Sequence, residues 1–461
     1  MNTYKKYVSL VALATSAFAT VLSTSMVRIA APYIQETLAL RYAHLTWIHN
    51  SYQISYAILL PVFGQLGDRY GRRRILLAGL ALFGLGSIMS GLSWSIGSLI
   101  MFRLLQGIGG AAIFPNALTI GTGLFSKRDR GKAMGIWAMG VSMGSVAGPT
   151  LGGFIVGLLG WRSVFFVNVL FIVISAVAIF SIVNTKEEMD KETERFDFRG
   201  TIMLAFIITM LITSIVSGPD RGWTDPLILF MMTAVLVALP MFWRHEGEHG
   251  KPVIDPNLLR NRTFMSGMLC GGVHLVAIQG MNFLMPLFLS QVHELSPLII
   301  GLVMLPQAAV RLVISPLSGY LADRFGNTLP VAVGLLIRTT GLILMGLLTQ
   351  ASSVFYVGFC LVLDGTGAAL IWAPSMNAAM ESSPEEKRGS VAGVFNMLRF
   401  VMGSLGTVLV GVVLDLTFRE PTSAAPVAGY LHAYLMIASF TALALFRVKD
   451  LRVRSDQDLA T

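Results

Sequence analysis

Asp364 and His274 are the side chains whose positions best suit proton chemistry inside a membrane. Asp364 is the one acid placed clearly deep within an apolar run, and His274 lies about ten residues into another. A carboxyl group held in the bilayer is costly, and it could take up and release a proton there. Imidazole titrates near neutral pH, which makes His274 the second candidate. The alternatives are a structural ion pair of Asp364 with Arg399 or Arg338, and a hydrogen-bonded interior histidine.

Arginine residues also interrupt the apolar runs of the second half of the chain. Arg311, Arg338 and Arg399 fall in three different runs. A charged side chain in hydrocarbon is expensive, so it should face protein or a water-filled cavity. Arg311 and Arg399 are therefore predicted to reach a substrate cavity. Arg338 comes early in its run and is interpreted as an anchor at the membrane surface.

Amides within the runs, together with apolar side chains, predict the wall of a midplane cavity. Such a mixture suits an amphiphilic small molecule, although aromatic residues of membrane helices more often face lipid or pack against other helices. The candidates are Arg28, Gln53, Asn116, Gln279, Asn282, Phe283, Gln307, Trp372, Asn377 and Asn396, in addition to Arg311 and Arg399.

The elements that must position these residues are apolar segments long enough to cross a bilayer. The sequence is 54% hydrophobic and only 13% charged, whereas soluble domains have about a quarter charged residues. We therefore predict an all-α membrane protein with about fourteen spans. They lie near residues 8–30, 45–63, 75–95, 97–124, 133–157, 163–183, 201–217, 225–243, 264–289, 298–321, 330–350, 354–375, 390–414 and 429–446.

The basic residues give this protein an orientation. The formal net charge is +9, and the positive residues cluster in loops between the apolar runs. Lys and Arg in short loops mark the cytoplasmic side, which excludes a nucleic-acid footprint. We predict a multi-pass protein of the plasma (inner) membrane with both termini cytoplasmic. The residues of this side are Lys5, Lys6, Arg72 to Arg74, Lys127, Arg128, Arg130, Lys132, Lys251, Arg260, Arg262 and Arg447 to Arg454.

Two motifs of the first half return in the second half at a nearly constant displacement of about 255 to 258 residues. Gly64 to Gly71 (GQLGDRYG) returns as Gly319 to Gly326 (GYLADRFG), and Gly107 to Pro115 returns in relaxed form as Gly365 to Pro374. The chain is therefore predicted to contain two six-helix bundles in parallel repeat. The predicted parts are residues 1–185, a linker with two extra helices at 186–250, residues 251–448, and a cytoplasmic tail at 449–461.

The first copy of the loop resembles the signature between the second and third helices of the major facilitator superfamily. Its glycines allow two helix ends to approach closely and the backbone to turn sharply. The resemblance implies a conformational switch at this loop and at its second copy, with Asp68 pairing with a neighbouring helix end or an arginine. The residues concerned are Gly64, Asp68, Arg69, Gly71, Arg72, Asp323 and Arg324.

Two further motifs acquire a role from the same resemblance. The pattern Arg103-Leu-Leu-Gln106-Gly107 is similar to the proton-coupling region of the superfamily, whereas the residues alone also allow Arg103 to snorkel to the outer surface. The fifth segment resembles the glycine–proline "antiporter" motif of exporters, with ordinary close helix packing as the alternative reading. That motif comprises Gly140, Gly144, Gly148, Pro149, Gly152 and Gly153.

The first helix departs from the pattern of the fourteen-helix cation exporters. Ser23 stands where those proteins usually have an aspartate, and Arg28 stands where asparagine is common. Without that acid, a dedicated exporter of permanent cations is not favoured. The interior arginines favour neutral, zwitterionic or anionic amphiphiles, although pairing within the protein would also explain them.

The resemblance implies a fourteen-helix drug or metabolite:proton antiporter in which two halves rock around a central cavity. The expected substrate is a small amphiphilic drug or secreted metabolite, for example a siderophore. The sequence contains no phosphate-cradling loop and no metal-ligand cluster, so we expect a proton gradient rather than a cofactor, and no enzyme activity. We expect a monomer surrounded by lipid, with no nucleic-acid partner. A lipid or lipid-linked flippase and a transport-inactive sensor are the alternatives.

Overall fold

The computed structural model describes residues 3–125, 130–182, 197–248, 254, 256–383, 388–418 and 425–451, and regular structure within these residues is helical. The helices are α1 (Thr3–Leu38), α2 (Tyr42–Tyr70), α3 (Arg72–Gly91), α4 (Ile96–Gly123), α5 (Arg130–Leu159), α6 (Ser163–Ile182), α7 (Phe198–Arg221), α8 (Pro226–Glu248), α9 (Pro256–Arg260), α10 (Arg262–Gln291), α11 (Pro297–Phe325), α12 (Thr328–Gly346), α13 (Val354–Glu381), α14 (Arg388–Phe418), α15 (Ala425–Ala444) and a 3-10 helix (Leu445–Leu451).

Fourteen of these helices coincide with the fourteen predicted segments, which confirms the predicted fold class. Thirteen are both long and apolar enough to cross a membrane, counted over the described residues. The remaining long helix is α2, whose polar residues His49, Asn50 and Gln53 are buried against other helices rather than facing lipid. Most helices are longer than the apolar runs from which they were predicted, because a helix can continue after it leaves the hydrocarbon.

The contacts divide the chain into two compact units. The first unit contains α1 to α6 and residues 295–302, and the second contains the other helices. The two additional helices, α7 and α8, belong to the second unit, where α7 packs against α14. The division of the chain into four parts at residues 185, 250 and 448 stays a prediction.

The start of α7 is fixed by Asp197. Its Oδ1 accepts a hydrogen bond from the Gly200 backbone N–H at 2.8 Å, which caps the helix. His245 of α8 contacts the same oxygen at 2.8 Å and ties the two helices together. The helix α7 therefore begins at Phe198, three residues before the apolar segment predicted at 201–217, whereas residues 183–196 lie outside the described part of the chain.

Two helices cross at equivalent glycines in each unit, so the sequence repeat corresponds to a repeated helix packing. A Cβ built at Gly109 of α4 would lie 2.7 Å from the carbonyl oxygen of Gly79 in α3. At the same repeat positions, a Cβ at Gly367 of α13 would lie 2.6 Å from the carbonyl oxygen of Gly334 in α12. Backbone therefore packs directly on backbone at both crossings, which only glycine permits.

The predicted loops turn at glycines with a left-handed backbone. Gly71, between α2 and α3, has φ +98°, and Gly326, between α11 and α12, has φ +78°. Next to the first turn, the backbone of Gly67 packs against Asn116 of α4, whose amide donates to the carbonyl of Phe63 at 3.0 Å. The Asp68 side chain lies outside the described part of the structure. Arg69, Asp323 and Arg324 are exposed, and Arg72 is partly buried.

Candidate functional site

The two helices with the central polar residues begin in the same way. Ser95 caps α4 by accepting the Ser98 N–H, and Ser353 caps α13 by accepting the Tyr356 N–H at 3.2 Å. These serines hold equivalent repeat positions, so the two helices keep the same register. That register places Gln106 of α4 and Asp364 of α13 at equivalent positions, each directly before a glycine.

Asp364 is fully buried and bound through both carboxylate oxygens. Arg338 of α12 donates from Nε to Oδ1 at 2.9 Å, and Gln307 of α11 donates from Nε2 to Oδ2 at 2.7 Å. Gly365 lets α13 approach the backbone of Gln307, since a Cβ there would lie 2.6 Å from the Gln307 carbonyl oxygen. Three helices thus meet at one carboxylate, and its charge state affects all of them.

His274 of α10 completes this cluster from the opposite side of Arg338. The guanidinium Nη1 lies 3.0 Å from His274 Nδ1 and 2.9 Å from the His274 carbonyl oxygen. Arginine has no acceptor, so Nδ1 must accept this bond and the ring proton lies on Nε2. His274 is therefore a neutral acceptor in this arrangement. A proton on Nδ1 would displace Arg338.

The position of Arg338 corrects one expectation from the sequence. Arg338 is completely buried and pairs with Asp364, so it is not a surface anchor. Of the two partners considered for Asp364, the structure selects Arg338 rather than Arg399. Among the predicted amides, Gln307 is the one that binds the carboxylate directly.

Arg311 and Arg399 extend the positive charge of the second unit. The Arg311 guanidinium lies 3.4 Å from both the side-chain and the backbone oxygen of Gln307. Electrostatic interactions reach His274 from Arg338, Arg399 and Arg311. Among these residues, three arginines accompany the single carboxylate of Asp364, so this cluster carries more positive than negative charge.

Arg103 is the centre of the corresponding cluster in the first unit. It is fully buried, donates from Nε to the carbonyl oxygen of Ile48 at 3.1 Å, and binds the Gln106 side-chain oxygen. Its guanidinium carbon lies 4.4 Å from the centroid of the Tyr52 ring, a favourable cation–π contact. Arg103 therefore does not snorkel to the outer surface.

Sequence reasoning missed the partners of Arg103. Gln106 Nε2 donates to Ser23 Oγ at 3.2 Å and to Ser87 Oγ, which joins α1 and α3 to α4. Ser23 was noted only as the replacement of an acid. The signal that could have found Gln106 is the repeat, because it occupies the position of Asp364.

Replacing Arg103 with lysine should destabilise the protein by about 1–3 kcal/mol, even though the charge is kept. A single ammonium cannot replace the donors to Ile48 and Gln106 together with the flat contact on Tyr52, and a buried acceptor left without a donor costs this much. The unfolding midpoint in detergent measures the loss. Arg244→Lys is the control, since the Arg244 side chain is 82% exposed. Equal midpoints for both variants would contradict the structural role of Arg103.

The other predicted cavity residues are placed in three ways. Gln279, Asn282 and Phe283 of α10 are buried inside the second unit. Asn116 supports the loop after α2, and Asn377 bonds to Asn327 and Glu381 at the end of α13, so neither lies at the midplane. In the first unit Gln53 is buried beside His49, and Arg28 is partly buried. Trp372 of α13 is exposed and faces Arg399 of α14, whose Nη2 donates a hydrogen bond to Asn396 Oδ1.

The glycines of α5 pack on α1. A Cβ at Gly144 would lie 2.8 Å from the Phe18 carbonyl oxygen, and one at Gly148 would collide with Ser25. Gly140 and Gly152 continue the contact toward Ala14 and Met26. Gly153 faces residues 297–298 within the same unit, and Pro149 is buried between these contacts. The observed contacts are those of close helix packing, and a role of this motif in the direction of transport stays a prediction.

Comparison with known proteins agrees with this arrangement. Residues 13–407 match the Major Facilitator Superfamily. Multidrug resistance protein Stp of Mycobacterium tuberculosis (strain CDC 1551 / Oshkosh) is 32% identical over 408 residues, which cover 88% of this chain and 75% of Stp. The tetracenomycin C resistance and export protein of Streptomyces glaucescens is 30% identical over 406 residues, with the same coverage of 88% and 75%.

A solved structure shares the whole fold. It is a bacterial homologue of the human lysosomal transporter Spinster, in an inward-facing and unoccupied conformation, with a TM-score of 0.69 and 20% identity. The match covers 98% of each chain. The fold, the repeat and the matched sequence identify a membrane transporter rather than an enzyme, and the chain belongs to the Major Facilitator Superfamily.

Proposed function

We propose that this protein is a proton-coupled exporter of small amphiphilic molecules that works by alternating access. The observation on which the proposal rests is the Asp364 carboxylate, fully buried at bilayer depth and held by Arg338 and Gln307. A buried charge without its partner is costly, so protonation of Asp364 and release of Arg338 are linked events. Since the carboxylate joins α11, α12 and α13, one proton changes the contacts among three helices.

Export as the direction is supported by the relatives. Two of them are named for multidrug resistance and for resistance and export. The glycines of α5, which resemble the antiporter motif, point in the same direction. We propose the plasma (inner) membrane as the location, both termini on its cytoplasmic side, and a monomer in contact with lipid.

The proposed substrates are neutral, zwitterionic or anionic, a secreted carboxylate such as a siderophore being one example. The first-unit cluster has Ser23 where an acid could attract a cation, and Ser23 there contacts Gln106. The second unit adds Arg311 and Arg399 to the Arg338–Asp364 pair. Both features favour an anion over a permanent cation.

The test of coupling is efflux driven by a proton gradient in everted vesicles. Asp364→Asn should reduce the gradient-driven rate at least tenfold, because the amide cannot take up and release the proton. Counterflow of substrate without a gradient should persist, since that exchange needs no net proton transfer. Glu248→Gln is the matched control, because the Glu248 side chain is 69% exposed.

Gradient-driven efflux at the wild-type rate in Asp364→Asn would exclude Asp364 as the coupling residue. Loss of both modes, with normal expression and a normal elution profile, would assign Asp364 to substrate binding instead of coupling. The proposal is supported if Asp364→Asn loses gradient-driven efflux and keeps counterflow.

A further inference from the structure

We propose that Trp372 and Arg399 form a binding platform for planar aromatic anions. This inference rests on the proposed export function and names the substrate class of the second unit. The aromatic ring of the ligand stacks on the exposed indole, and its carboxylate or similar acid group pairs with the neighbouring guanidinium.

The platform is held in place by contacts on both of its helices. The Arg399 guanidinium carbon lies 5.5 Å from the centroid of the Trp372 ring and 5.2 Å from that of Phe400. Asn396, one turn earlier on α14, accepts a hydrogen bond from Arg399 Nη2 at 3.2 Å. A planar guanidinium set against an indole in this way is a surface on which a flat ring can stack while a charged group meets the arginine.

Both residues lie in the parts of their helices that are nearer to the connection between α13 and α14. Trp372 lies about nine residues before the end of α13, or ~14 Å along the helix axis. Arg399 lies about eleven residues after the start of α14, or ~16 Å, and nine residues inside the apolar run predicted at 390–414. Arg399 is therefore well inside its span, and the indole of Trp372 lies against its guanidinium.

The contact with Arg399 indicates what the exposed face of Trp372 borders. The Trp372 side chain is 43% exposed. The adjoining Arg399 is only partly buried, and an arginine at this depth faces water or protein rather than lipid chains. The exposed indole therefore borders the same aqueous route as the guanidinium.

The surrounding charge selects the sign of the ligand. The Asp364 carboxylate is bound by Arg338 and Gln307. Arg311 and Arg399 add positive charge, and both interact electrostatically with His274. A cationic aromatic would meet this field unfavourably, and a neutral one would gain only the stacking. An aromatic ring with an acid group uses both features.

Two dyes with the same xanthene ring system and opposite charge test the platform. Fluorescein is anionic at mildly alkaline pH, and rhodamine 123 is cationic. Binding of each to the purified protein in detergent is measured by fluorescence polarisation, and gradient-driven efflux of each is measured in everted vesicles. The wild type should bind fluorescein at least tenfold more tightly than rhodamine 123.

The variants separate ring stacking from charge. Trp372→Leu and Arg399→Gln should each weaken fluorescein binding about tenfold. Trp372→Phe should stay within about threefold of the wild type, because a smaller aromatic face remains. Trp94→Leu is the control for loss of an exposed tryptophan, since Trp94 is 74% exposed and lies in the first unit. A monodisperse elution profile identifies the variants that have folded.

Tighter binding of rhodamine 123, or unchanged fluorescein binding in both Trp372→Leu and Arg399→Gln, would overturn the platform. If Trp372→Leu fails to fold, Arg399→Gln and Trp372→Phe still decide the matter, because a Phe variant that loses tenfold in affinity excludes simple stacking. The two proposals fail separately. Fluorescein binding that depends on Trp372 without any gradient-driven efflux rejects the exporter and keeps the platform, whereas efflux with platform-independent binding does the reverse.

Discussion

Replacing Arg338 with glutamine is expected to lower the free energy of unfolding by about 3–5 kcal/mol. The substitution removes the guanidinium from a fully buried ion pair and leaves the Asp364 carboxylate without its charged partner. Breaking a buried pair on one side costs this much because the remaining charge has lost its water and its counter-charge. The contact with His274 is lost as well. The measurement is the unfolding midpoint of the purified protein in detergent.

The double variant Arg338→Gln/Asp364→Asn shows whether the pair is structural, coupling, or both. With both charges removed, two neutral amides can bond to each other, and most of the lost stability should return. Gradient-driven efflux should remain absent, because no titratable carboxyl group is left at this place. Arg244→Gln, which disturbs the exposed pair with Glu248, is the control. Restored efflux in the double variant would show that the pair only holds the fold together.

Replacing Gly367 with alanine is expected to be the second most damaging change, at about 2–3 kcal/mol. The new Cβ would lie 2.6 Å from the Gly334 carbonyl oxygen and 2.7 Å from the Arg338 backbone nitrogen. Both neighbours are backbone atoms, so no side chain can swing aside to relieve the overlap. Overpacking of this kind forces helices apart. Here it also moves the backbone that positions Arg338.

Gly358 offers a matched control on the same helix. A Cβ at Gly358 would meet no atom of the described residues within 4 Å. Alanine there should leave stability unchanged or raise it by up to ~1 kcal/mol, since alanine favours a helix over glycine. Comparing the yield of folded protein and the unfolding midpoints of the two variants checks the prediction. A Gly367→Ala variant as stable as Gly358→Ala would mean that the crossing of α12 and α13 is looser than described.

Much of the fold could be predicted, because its signals are local. The length of each apolar run predicts a membrane span, and the repeated motifs predict two similar halves. The turn at Gly71 could be predicted because glycine readily adopts a positive φ and this glycine lies in a short loop between two apolar runs. The serine caps of α4 and α13 were not predicted, although Ser95 and Ser353 directly precede these helices at equivalent repeat positions.

The partners within the site could not be predicted, and Arg338 shows why. The apolar run predicted at 330–350 placed Arg338 near its beginning, whereas α12 ends at Gly346 and has Arg338 near its middle. Moreover, position along a helix gives depth but not direction around the axis. Whether Arg338 or Arg399 meets Asp364 depends on how α12 and α14 are rotated, which is a property of packing between helices.

The contact between Asp197 and His245 has a consequence for the order in which the protein is made. The α7–α8 pair leaves the ribosome after α1 to α6 and before α10 to α15 exist. Its own hydrogen bond closes it into a hairpin without help from later helices. Because chains fold from the N-terminal side during synthesis, this hairpin is the first part of the second unit to reach the bilayer. When α14 is inserted later, it packs against α7, which is already in the bilayer.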